Sequence, residues 1–434
     1  MKDQITIQDG QVLISEVPVK TLAQKCGTPL YIYDQPALEH RMEEFVSSFK
    51  SSQFDTTVIF ASKAFSCLAI DRLCTKYGLG LDVVSGGELF TARKAGFDMN
   101  QVYFHGNNKS LQELNMALEY GVKTIIVDNL MEARLLASLS SKAERPVHAL
   151  LRINPGIDAH THKYIQTAYI DSKFGISILR KEEIHQLITT LEAAPNVVFD
   201  GFHAHIGSQI FEENAFMAEI SKVCAFAREF EDEYGIKTRT LDFGGGFGVR
   251  YTDADAPIPI EEICKKIIAK TEEERKALNL SFSNVCIEPG RSIVAEAGYQ
   301  LYTIGFLKET QNKKYVFIDG GMTDNIRPAL YQADYDFDVA TQMDKEKSEV
   351  VTVAGKCCES GDILGEGIAL QPCSTGDLLL VHSTGAYGYS MANNYNKLPF
   401  AGVVFVDHGK IRWAIKPQSF EELIGRECLE LEEV

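Results

Sequence analysis

The chain has 434 residues, 45% hydrophobic and 24% charged, which is typical of a globular protein large enough for two domains. Its net charge of −17 argues against nucleic acid or an anionic membrane as the main partner, because both need a basic face. The polar start predicts no signal peptide, and no apolar run approaches the roughly 20 residues that span a bilayer. Ten cysteines without a C-x-x-C pair favour reduced thiols and a cytoplasmic location.

The first predicted element is a β-hairpin over 5–15, where two alternating runs flank Asp9-Gly10. Eight short apolar runs follow between residues 58 and 290, most of them separated by helical segments that glycine ends. Strands alternating with helices indicate a parallel sheet, and eight such units fit a (β/α)8 barrel. An open Rossmann-type sheet is the competing interpretation. The runs are VIFAS, GLDVVS, VYFHG, TIIVD, ALLRI, GFHAHI, LDFGG and VCIEPG.

The runs after residue 291 are rich in β-forming residues, with short turns and little helix between them. Together with the N-terminal hairpin they predict a separate, mostly antiparallel β domain built from both chain ends, 1–34 and 291–434. The predicted fold class is therefore α/β, with a TIM-like (β/α)8 barrel over 35–290 inserted into that β domain.

Every predicted barrel strand ends in polar residues or glycine, at the face where barrel enzymes carry their active sites. Solubility alone does not explain such endings on all eight strands. In chain order they are Lys63, Ser85 to Glu88, His105-Gly106, Asp128, Arg152 and Asn154, His203 and His205, Gly244 to Gly248, and Glu288 to Arg291.

Lys63 closes a run that indicates a buried strand, although burying an ammonium without a partner is costly. If Lys63 reaches out of the strand end, or is ion-paired, its position has a structural explanation and implies no catalytic role. Burial, however, can lower a Lys pKa by about 3–5 units and leave an amine that forms a Schiff base with an aldehyde. The glycine run 244–248 offers backbone N–H groups to an anion, although Val249 breaks the nicotinamide fingerprint. An aldehyde and a phosphate together predict pyridoxal 5′-phosphate (PLP).

His203 and His205 point to one face of their strand, because side chains two residues apart do so. The pair predicts either a catalytic metal site, completed by His105 and Asp128, or a neutral imidazole lying flat against a cofactor ring. Glu288 favours the ring, since a carboxylate facing a pyridine nitrogen keeps it protonated and makes the ring an electron sink. An ion pair with a neighbouring Arg is the other role open to Glu288. The prediction is a PLP site without a metal.

Eleven segments, spread over nearly the whole chain, carry a family resemblance: FASKAF, DVVSGGEL, FHGNNK, RINPGIDAHTHKYIQT, DSKFGI, HAHIGSQI, LDFGGGFG, EPGRSIV, DGGMTDNIRPALY, GKCCESGD and STGAYGYSMANNYN. In this order they resemble the diaminopimelate decarboxylase family. These enzymes are PLP-dependent decarboxylases with an alanine-racemase-like barrel and a C-terminal β domain. The resemblance implies conversion of meso-2,6-diaminopimelate to L-lysine and CO2, the last step of lysine synthesis.

Carried over position by position, the resemblance implies a role for each site residue. Lys63 would hold PLP, His205 would stack on its ring, and Glu288 would pair with its pyridine nitrogen. Cys358 would be the proton donor, and because Cys358 and Glu359 reach across a two-fold interface in this family, a homodimer is implied. The residues implied for the phosphate are Ser208, Gly244, Gly245, Gly246, Gly290, Arg291 and Tyr387. Those implied for the substrate are Arg291, Arg327, Tyr331, Tyr387 and, at the distal ammonium, Glu359.

The sequence departs from the family pattern in two places. FASKAF stands where many members have Y-A-V-K-A-N, and a second thiol, Cys357, precedes the Cys of C-E-S-G-D. Three alternatives remain: a sister decarboxylase acting on ornithine, arginine or carboxynorspermidine, a PLP racemase, and a non-catalytic regulator. A racemase tends to place Arg at the pyridine nitrogen, which Glu288 disfavours, and the intact Lys63 and Cys358 disfavour a regulator.

Overall fold

The computed structural model describes residues 5–157 and 172–431. The chain divides into two compact units, which we call the barrel unit (39–249 and 256–293) and the β unit (1–38, 250–255 and 294–434). The boundaries predicted from the sequence lie at 34/35 and 290/291. The sequence analysis placed 250–255 in the barrel domain, whereas the structure groups this segment with the β unit. Much of the segment RINPGIDAHTHKYIQT falls within 158–171, outside the described residues.

The β unit begins with the predicted hairpin. Gln8 pairs with Gln11 across a two-residue turn in which Asp9 and Gly10 have φ of 51° and 68°. A primed hairpin turn requires positive φ at both central residues, which Asp-Gly supplies at low cost, so the prediction is confirmed. The N-terminal elements are β1 (Ile5–Gln8), β2 (Gln11–Ile14), β3 (Val17–Pro18), α1 (Val19–Cys26) and β4 (Leu30–Asp34).

Eight parallel strands close into a ring in the barrel unit, and they are the eight predicted from the apolar runs. The ring closes where the last strand pairs with the first, with Asn284 opposite Asp55, which rules out an open sheet. In chain order the strands are β5 (Asp55–Ala61), β6 (Gly80–Val83), β7 (Val102–Phe104), β8 (Thr124–Val127), β9 (Val147–Asn154), β10 (Ile176–Ser177), β11 (Val197–His203), β12 (Thr240–Asp242) and β13 (Asn284–Ile287). Of these, β10 pairs with β9 outside the ring.

Helices surround the ring. Three of them end at Gly78, Gly96 and Gly121, whose φ of 71°, 79° and 75° is the left-handed conformation that stops a helix. No helix within the described ranges is long and apolar enough to cross a bilayer. The helices are α2 (Gln35–Ser48), α3 (Leu68–Tyr77), α4 (Gly86–Ala95), α5 (Leu111–Tyr120), α6 (Leu130–Leu139), α7 (Lys181–Glu192), α8 (Glu213–Tyr234), α9 (Ile260–Ala277) and α10 (Arg291–Val294).

The C-terminal part of the β unit forms one sheet with the N-terminal strand β4, which lies between β14 and β20. Both chain ends therefore build this unit, as predicted, and most of its pairings are antiparallel, apart from β15 with β17 and β20 with β4. Buried side chains from the two ends, such as Ile14, Ile32 and Val404, share one core. The remaining elements are β14 (Gly298–Glu309), β15 (Lys314–Ile318), α11 (Arg327–Tyr331), β16 (Phe337–Val339), β17 (Glu349–Ala354), β18 (Ile363–Leu370), β19 (Leu378–Val381), β20 (Gly402–Asp407), β21 (Lys410–Ile415) and α12 (Phe420–Ile424).

Candidate active site

Glu288 lies at the centre of the barrel mouth, directly after β13. One carboxylate oxygen, Oε1, is 2.7 Å from Nε2 of His105, and the other, Oε2, is 3.2 Å from Nε2 of His203. His105 follows β7 and His203 ends β11, so three strands that are far apart in sequence place these groups together. The carboxyl ends of parallel barrel strands open on one face, which explains the convergence.

Burial and the two imidazoles set the charge of this cluster. Burial alone would raise the pKa of Glu288, but His105 and His203 outweigh it and hold the pKa well below its usual range. Burial lowers the pKa of His203 to about 4. At neutral pH the cluster is therefore an ionised carboxylate to which a neutral His203 donates from Nε2, since a carboxylate can only accept.

Two further carboxylates line the mouth, and the sequence analysis did not single them out. Oδ2 of Asp82 in β6 is 3.8 Å from Nζ of Lys63, and Oδ1 of Asp242, the last residue of β12, accepts the Gly244 N–H at 2.8 Å. Burial raises the pKa of both acids. The sequence did contain a signal for both acids, because each is a charged residue inside an apolar run, GLDVVS or LDFGG. A buried strand has no need of a charged residue for solubility, so such a residue indicates a function.

Of the two environments that the sequence left open for Lys63, the structure shows the Lys that reaches out of the strand end and not the buried one. Its side chain is 44% exposed, because β5 ends at Ala61 and a single 3₁₀ turn over Ser62–Ala64 carries Lys63 past the strand end into the mouth. The Ser62 hydroxyl donates to the Asp82 carbonyl oxygen at 2.6 Å, which ties the turn to β6. The amine is therefore accessible and has an acid beside it.

His205 lies two residues beyond the end of β11. Its Nδ1 accepts the Gly245 N–H at 3.2 Å. Burial, followed by the charge of Lys63, lowers the pKa of His205 well below its usual value. The ring is therefore neutral with its proton on Nε2, and its position near Lys63 and Glu288 fits the predicted contact with a cofactor ring.

The glycine run after β12 is tightly packed. A Cβ at Gly245 would lie 2.2 Å from the Glu288 carbonyl oxygen, and one at Gly246 would lie 2.6 Å from the Gly207 carbonyl oxygen. The amides of Gly244 and Gly245 donate to Asp242 and His205, whereas the Gly246 amide finds no acceptor within residues 5–157 and 172–431. Of the three glycines of this run that are predicted to hold a phosphate, Gly246 is thus the one whose N–H remains for an anion.

Ser208 and Arg291 form a second anion-binding candidate in the barrel unit. Nη2 of Arg291 donates to Ser208 Oγ at 3.0 Å, and Arg291 begins α10 directly after Gly290. A Cβ at Gly290 would lie 2.9 Å from Cβ of Ala61, so only glycine fits there. The alternative role for Glu288, an ion pair with Arg291, is not what the structure shows, because Glu288 faces the two histidines.

The other predicted site residues lie in the β unit. Arg327 and Tyr331 are the first and last residues of α11, and Nη1 of Arg327 donates to the hydroxyl of Tyr335. Its guanidinium lies 4.8 Å from the ring centroid of Tyr251. Cys358 is exposed and neighbours Glu359. Tyr387 has a φ of 61°, in the left-handed region, which is uncommon for a tyrosine.

The metal alternative can be compared with this geometry. Within the described ranges, the one trio of side chains whose ligand atoms lie within 4.8 Å of one another is His105, His203 and Glu288. The metal alternative named His105, His203, His205 and Asp128, and only the first two belong to this trio. Oδ1 of Asp128 accepts the Gly175 N–H at 2.9 Å, and His205 Nδ1 faces Gly245.

The same residues fit PLP. Oε1 of Glu288 is buried and lies 2.7 Å from His105 Nε2, but the angle at that contact is not that of a hydrogen bond, so within the described part of the chain Oε1 can still accept a hydrogen bond from a protonated ring nitrogen. The accessible Lys63 amine, the neutral His205 ring and the Gly246 amide supply the other contacts that an aldehyde, a pyridine ring and a phosphate require.

A family model described as "Pyridoxal-dependent decarboxylase, pyridoxal binding domain" matches residues 36–295. The fold and the site are thus those of the PLP-dependent decarboxylases. The diaminopimelate decarboxylase of Bacillus subtilis is 44% identical over 418 residues, covering 96% of this chain and 95% of the relative.

Solved structures agree. The diaminopimelate decarboxylase of M. jannaschii in co-complex with L-lysine has a TM-score of 0.91 and 32% identity, covering 99% of this chain and 98% of that one. The Helicobacter pylori enzyme complexed with L-lysine has a TM-score of 0.85 and 30% identity, covering 94% of this chain and 99% of that one. The chain belongs to the diaminopimelate decarboxylase family, which is a family of carboxy-lyases.

Proposed function

We propose that the chain decarboxylates meso-2,6-diaminopimelate to L-lysine and CO2 with PLP as cofactor, the last step of lysine biosynthesis. The observation that carries this proposal is the 44% identity to the Bacillus subtilis enzyme over 96% of the chain. That span includes both the strand ends of the barrel mouth and the loops that bear Arg327 and Cys358. The L-lysine in two structural neighbours supports the proposed product.

PLP, when bound, supplies an electron sink that accepts the electron pair released as CO2 leaves the substrate. The accessible Lys63 amine would hold the cofactor through its aldehyde group. Glu288 keeps a proton on the ring nitrogen, for which its low pKa and its buried Oε1 suit it. His205 would lie against the ring face as a neutral imidazole. The residues that would hold the phosphate are Ser208, Gly244, Gly245, Gly246, Gly290, Arg291 and Tyr387. Within the glycine run the Gly246 amide would donate to it, because the amides of Gly244 and Gly245 donate to Asp242 and His205.

Specificity resides in the groups that bind the substrate's charged ends. Arg291, Arg327 and Tyr331, with Tyr387, bind substrate carboxylate, and Glu359 binds the distal ammonium. An arginine aimed at a second carboxylate is left unpaired when an analogue lacks that group, and such a mismatch can discriminate by roughly 10⁴-fold. Lysine and ornithine are therefore expected to be poor substrates.

Cys358 delivers the proton that replaces CO2 on the substrate carbon. Its thiol is exposed in the single chain, whereas a proton donor works best in a site that excludes bulk water. We therefore propose a homodimer in which Cys358 and Glu359 serve the partner's active site. All ten cysteines are free thiols, which supports a cytoplasmic location.

The test is CO2 release from purified protein supplied with PLP, measured on meso-diaminopimelate, lysine, ornithine and arginine in parallel. The proposal predicts a kcat/KM for meso-diaminopimelate roughly 10⁴-fold above the others. A preference for ornithine or arginine would assign the chain to a sister decarboxylase. Interconversion of enantiomers without CO2 release would indicate a racemase.

A further inference from the structure

Asp362 is a buried carboxylate, 3% exposed, that holds two separate loops of the β unit. Its Oδ1 accepts the Met322 N–H at 2.6 Å, and its Oδ2 accepts the Cys357 N–H at 2.7 Å. Backbone amides that bond an ionised carboxylate form short, strong hydrogen bonds. One side chain thus links the loop that leads to Arg327 with the loop that bears Cys358.

The two loops close tightly around this carboxylate. A Cβ at Gly321 would lie 2.5 Å from Asp362 Oδ1, and one at Gly355 would lie 2.2 Å from its Oδ2. The Lys356 N–H donates directly to the Gly320 carbonyl oxygen at 3.0 Å. Glycine at 321 and 355 lets both backbones approach the carboxylate, so its position is fixed from two sides.

Asn396 holds the next amide along the chain. Its Oδ1 accepts the Cys358 N–H at 2.8 Å, and its own φ of 54° lies in the left-handed region that asparagine tolerates. The consecutive amides of Cys357 and Cys358 are therefore held by two side chains from different segments. The direction in which the Cys358 side chain leaves the backbone depends on both bonds.

We propose that Asp362 and Asn396 are positioning residues that set the direction of the Cys358 thiol through its own amide and the preceding one. The inference rests on the proposed function, in which Cys358 delivers a proton. It assigns neither residue a contact with substrate or cofactor. Proton delivery depends steeply on distance and angle, and a displacement of about 1 Å can cost roughly 100-fold in rate.

The first experiment compares Asn396→Gly with Asn396→Asp in the PLP-loaded protein. Glycine accepts the positive φ but removes the Oδ1 acceptor, whereas aspartate keeps an acceptor in place. We expect Asn396→Gly to lower kcat about 10-fold with KM for meso-diaminopimelate within about twofold of wild type. Asn396→Asp should restore most of the loss. Equal kcat in Asn396→Gly and wild type would overturn the role of Asn396.

The second experiment uses Asp362→Asn, which turns one acceptor oxygen into an NH₂ group that faces a backbone donor. We expect kcat to fall roughly 100-fold and the alkylation of Cys358 by iodoacetamide, followed by residue-resolved mass spectrometry, to speed up about threefold or more as the loop loosens. If this variant does not fold, the Asn396 pair decides the proposal.

Asp377→Asn is the matched control, because Asp377 also accepts a backbone N–H, that of Ser374 at 2.8 Å, and a hydroxyl, that of Thr341 at 3.0 Å, in the same unit. It should lower stability without changing kcat or the alkylation of Cys358. Equal effects of Asp377→Asn and Asp362→Asn on both readouts would overturn the proposal. If wild-type protein released no CO2 from meso-diaminopimelate, the proposed function would fail, and the alkylation rates alone would still test the positioning.

Discussion

The barrel mouth and the loops of the β unit place their functional side chains in different ways. At the mouth, rigid strand ends bring side chains directly together, as His105 and His203 meet both oxygens of Glu288. In the β unit, Cys358 is placed through its backbone, by a hydrogen bond to Asn396 that lies 38 residues away in sequence. The mouth is a buried cluster of charged and polar side chains. The β-unit loop that bears Cys358 is exposed, and hydrogen bonds from its backbone amides hold it in place.

Because of this difference, the two regions should respond to different kinds of substitution. A change of charge at the mouth alters the protonation of every neighbour, because the groups share a low-dielectric environment. A change in the β-unit loops alters the position of a functional side chain, because hydrogen bonds to the backbone there fix its Cα and the direction of its Cα–Cβ bond. Charge substitutions should therefore have the larger effects in the first region, and acceptor deletions the larger effects in the second.

The largest effect that we predict for a single charge change is that of Glu288→Gln. Glutamine keeps the shape and one acceptor but loses the negative charge that holds a proton on the ring nitrogen. We expect kcat for CO2 release to fall roughly 100-fold or more. Asp200→Asn is the control, since Asp200 lies earlier in the same strand as His203 and accepts from Thr240 Oγ1 at 2.8 Å. An unchanged kcat in Glu288→Gln would remove the electrostatic argument for the mouth.

The next prediction concerns pH. His203 has a pKa of about 4 in the folded chain, against 6.5 for an unperturbed His, so the unfolded chain binds the additional proton between these values. Stability is therefore greatest above pH 6.5 and falls as the pH drops towards 4, by an amount on the order of 3 kcal/mol for this residue.

Thermal unfolding of the cofactor-free chain at pH 7 and pH 4.5 measures this loss. His203→Asn should be less stable at pH 7 but should lose less stability between the two values than wild type does. The same slope in both proteins would show that His203 titrates normally and that the mouth is more hydrated than its burial indicates.

The smallest effect that we predict lies in the β unit. Tyr335→Phe removes the hydroxyl that accepts from Arg327 Nη1 but keeps the ring whose centroid lies 5.5 Å from the guanidinium. A lost hydrogen bond of about 1 kcal/mol corresponds to a rise of about fivefold in KM for meso-diaminopimelate, with kcat nearly unchanged. Tyr315→Phe, at a partly buried tyrosine in β15, is the control. A fall in kcat without a change in KM would contradict a role through substrate binding.

Much of the barrel could be predicted because one physical pattern encodes it. Eight apolar runs gave the eight strands, and the residues that ended them gave Lys63, His105, His203 and Glu288. The sequence left the burial of Lys63 open, because apolar periodicity does not show that a strand stops at Ala61 and a turn follows. Asp82 was missed for the opposite reason, since it lies inside a run whose other residues are apolar.

The β unit was less predictable in its details. Its strands followed from β-rich runs, but no local signal links Asp362 to Met322, 40 residues earlier, or Asn396 to Cys358. Such bonds depend on how the loops meet after the sheet has formed, which periodicity cannot show. The resemblance to a family implies a role for Cys358, and only the structure shows what holds its backbone.

The central claim is that the Lys63 amine holds the cofactor. The most direct measurement is borohydride reduction of the PLP-loaded protein, digestion, and mass spectrometry of every lysine-containing peptide. The account predicts one pyridoxyl group, on Lys63, which is absent in Lys63→Ala. A pyridoxyl group on another lysine, such as the buried Lys109 that donates to Glu132 at 2.6 Å, or CO2 release that survives Lys63→Ala, would contradict it.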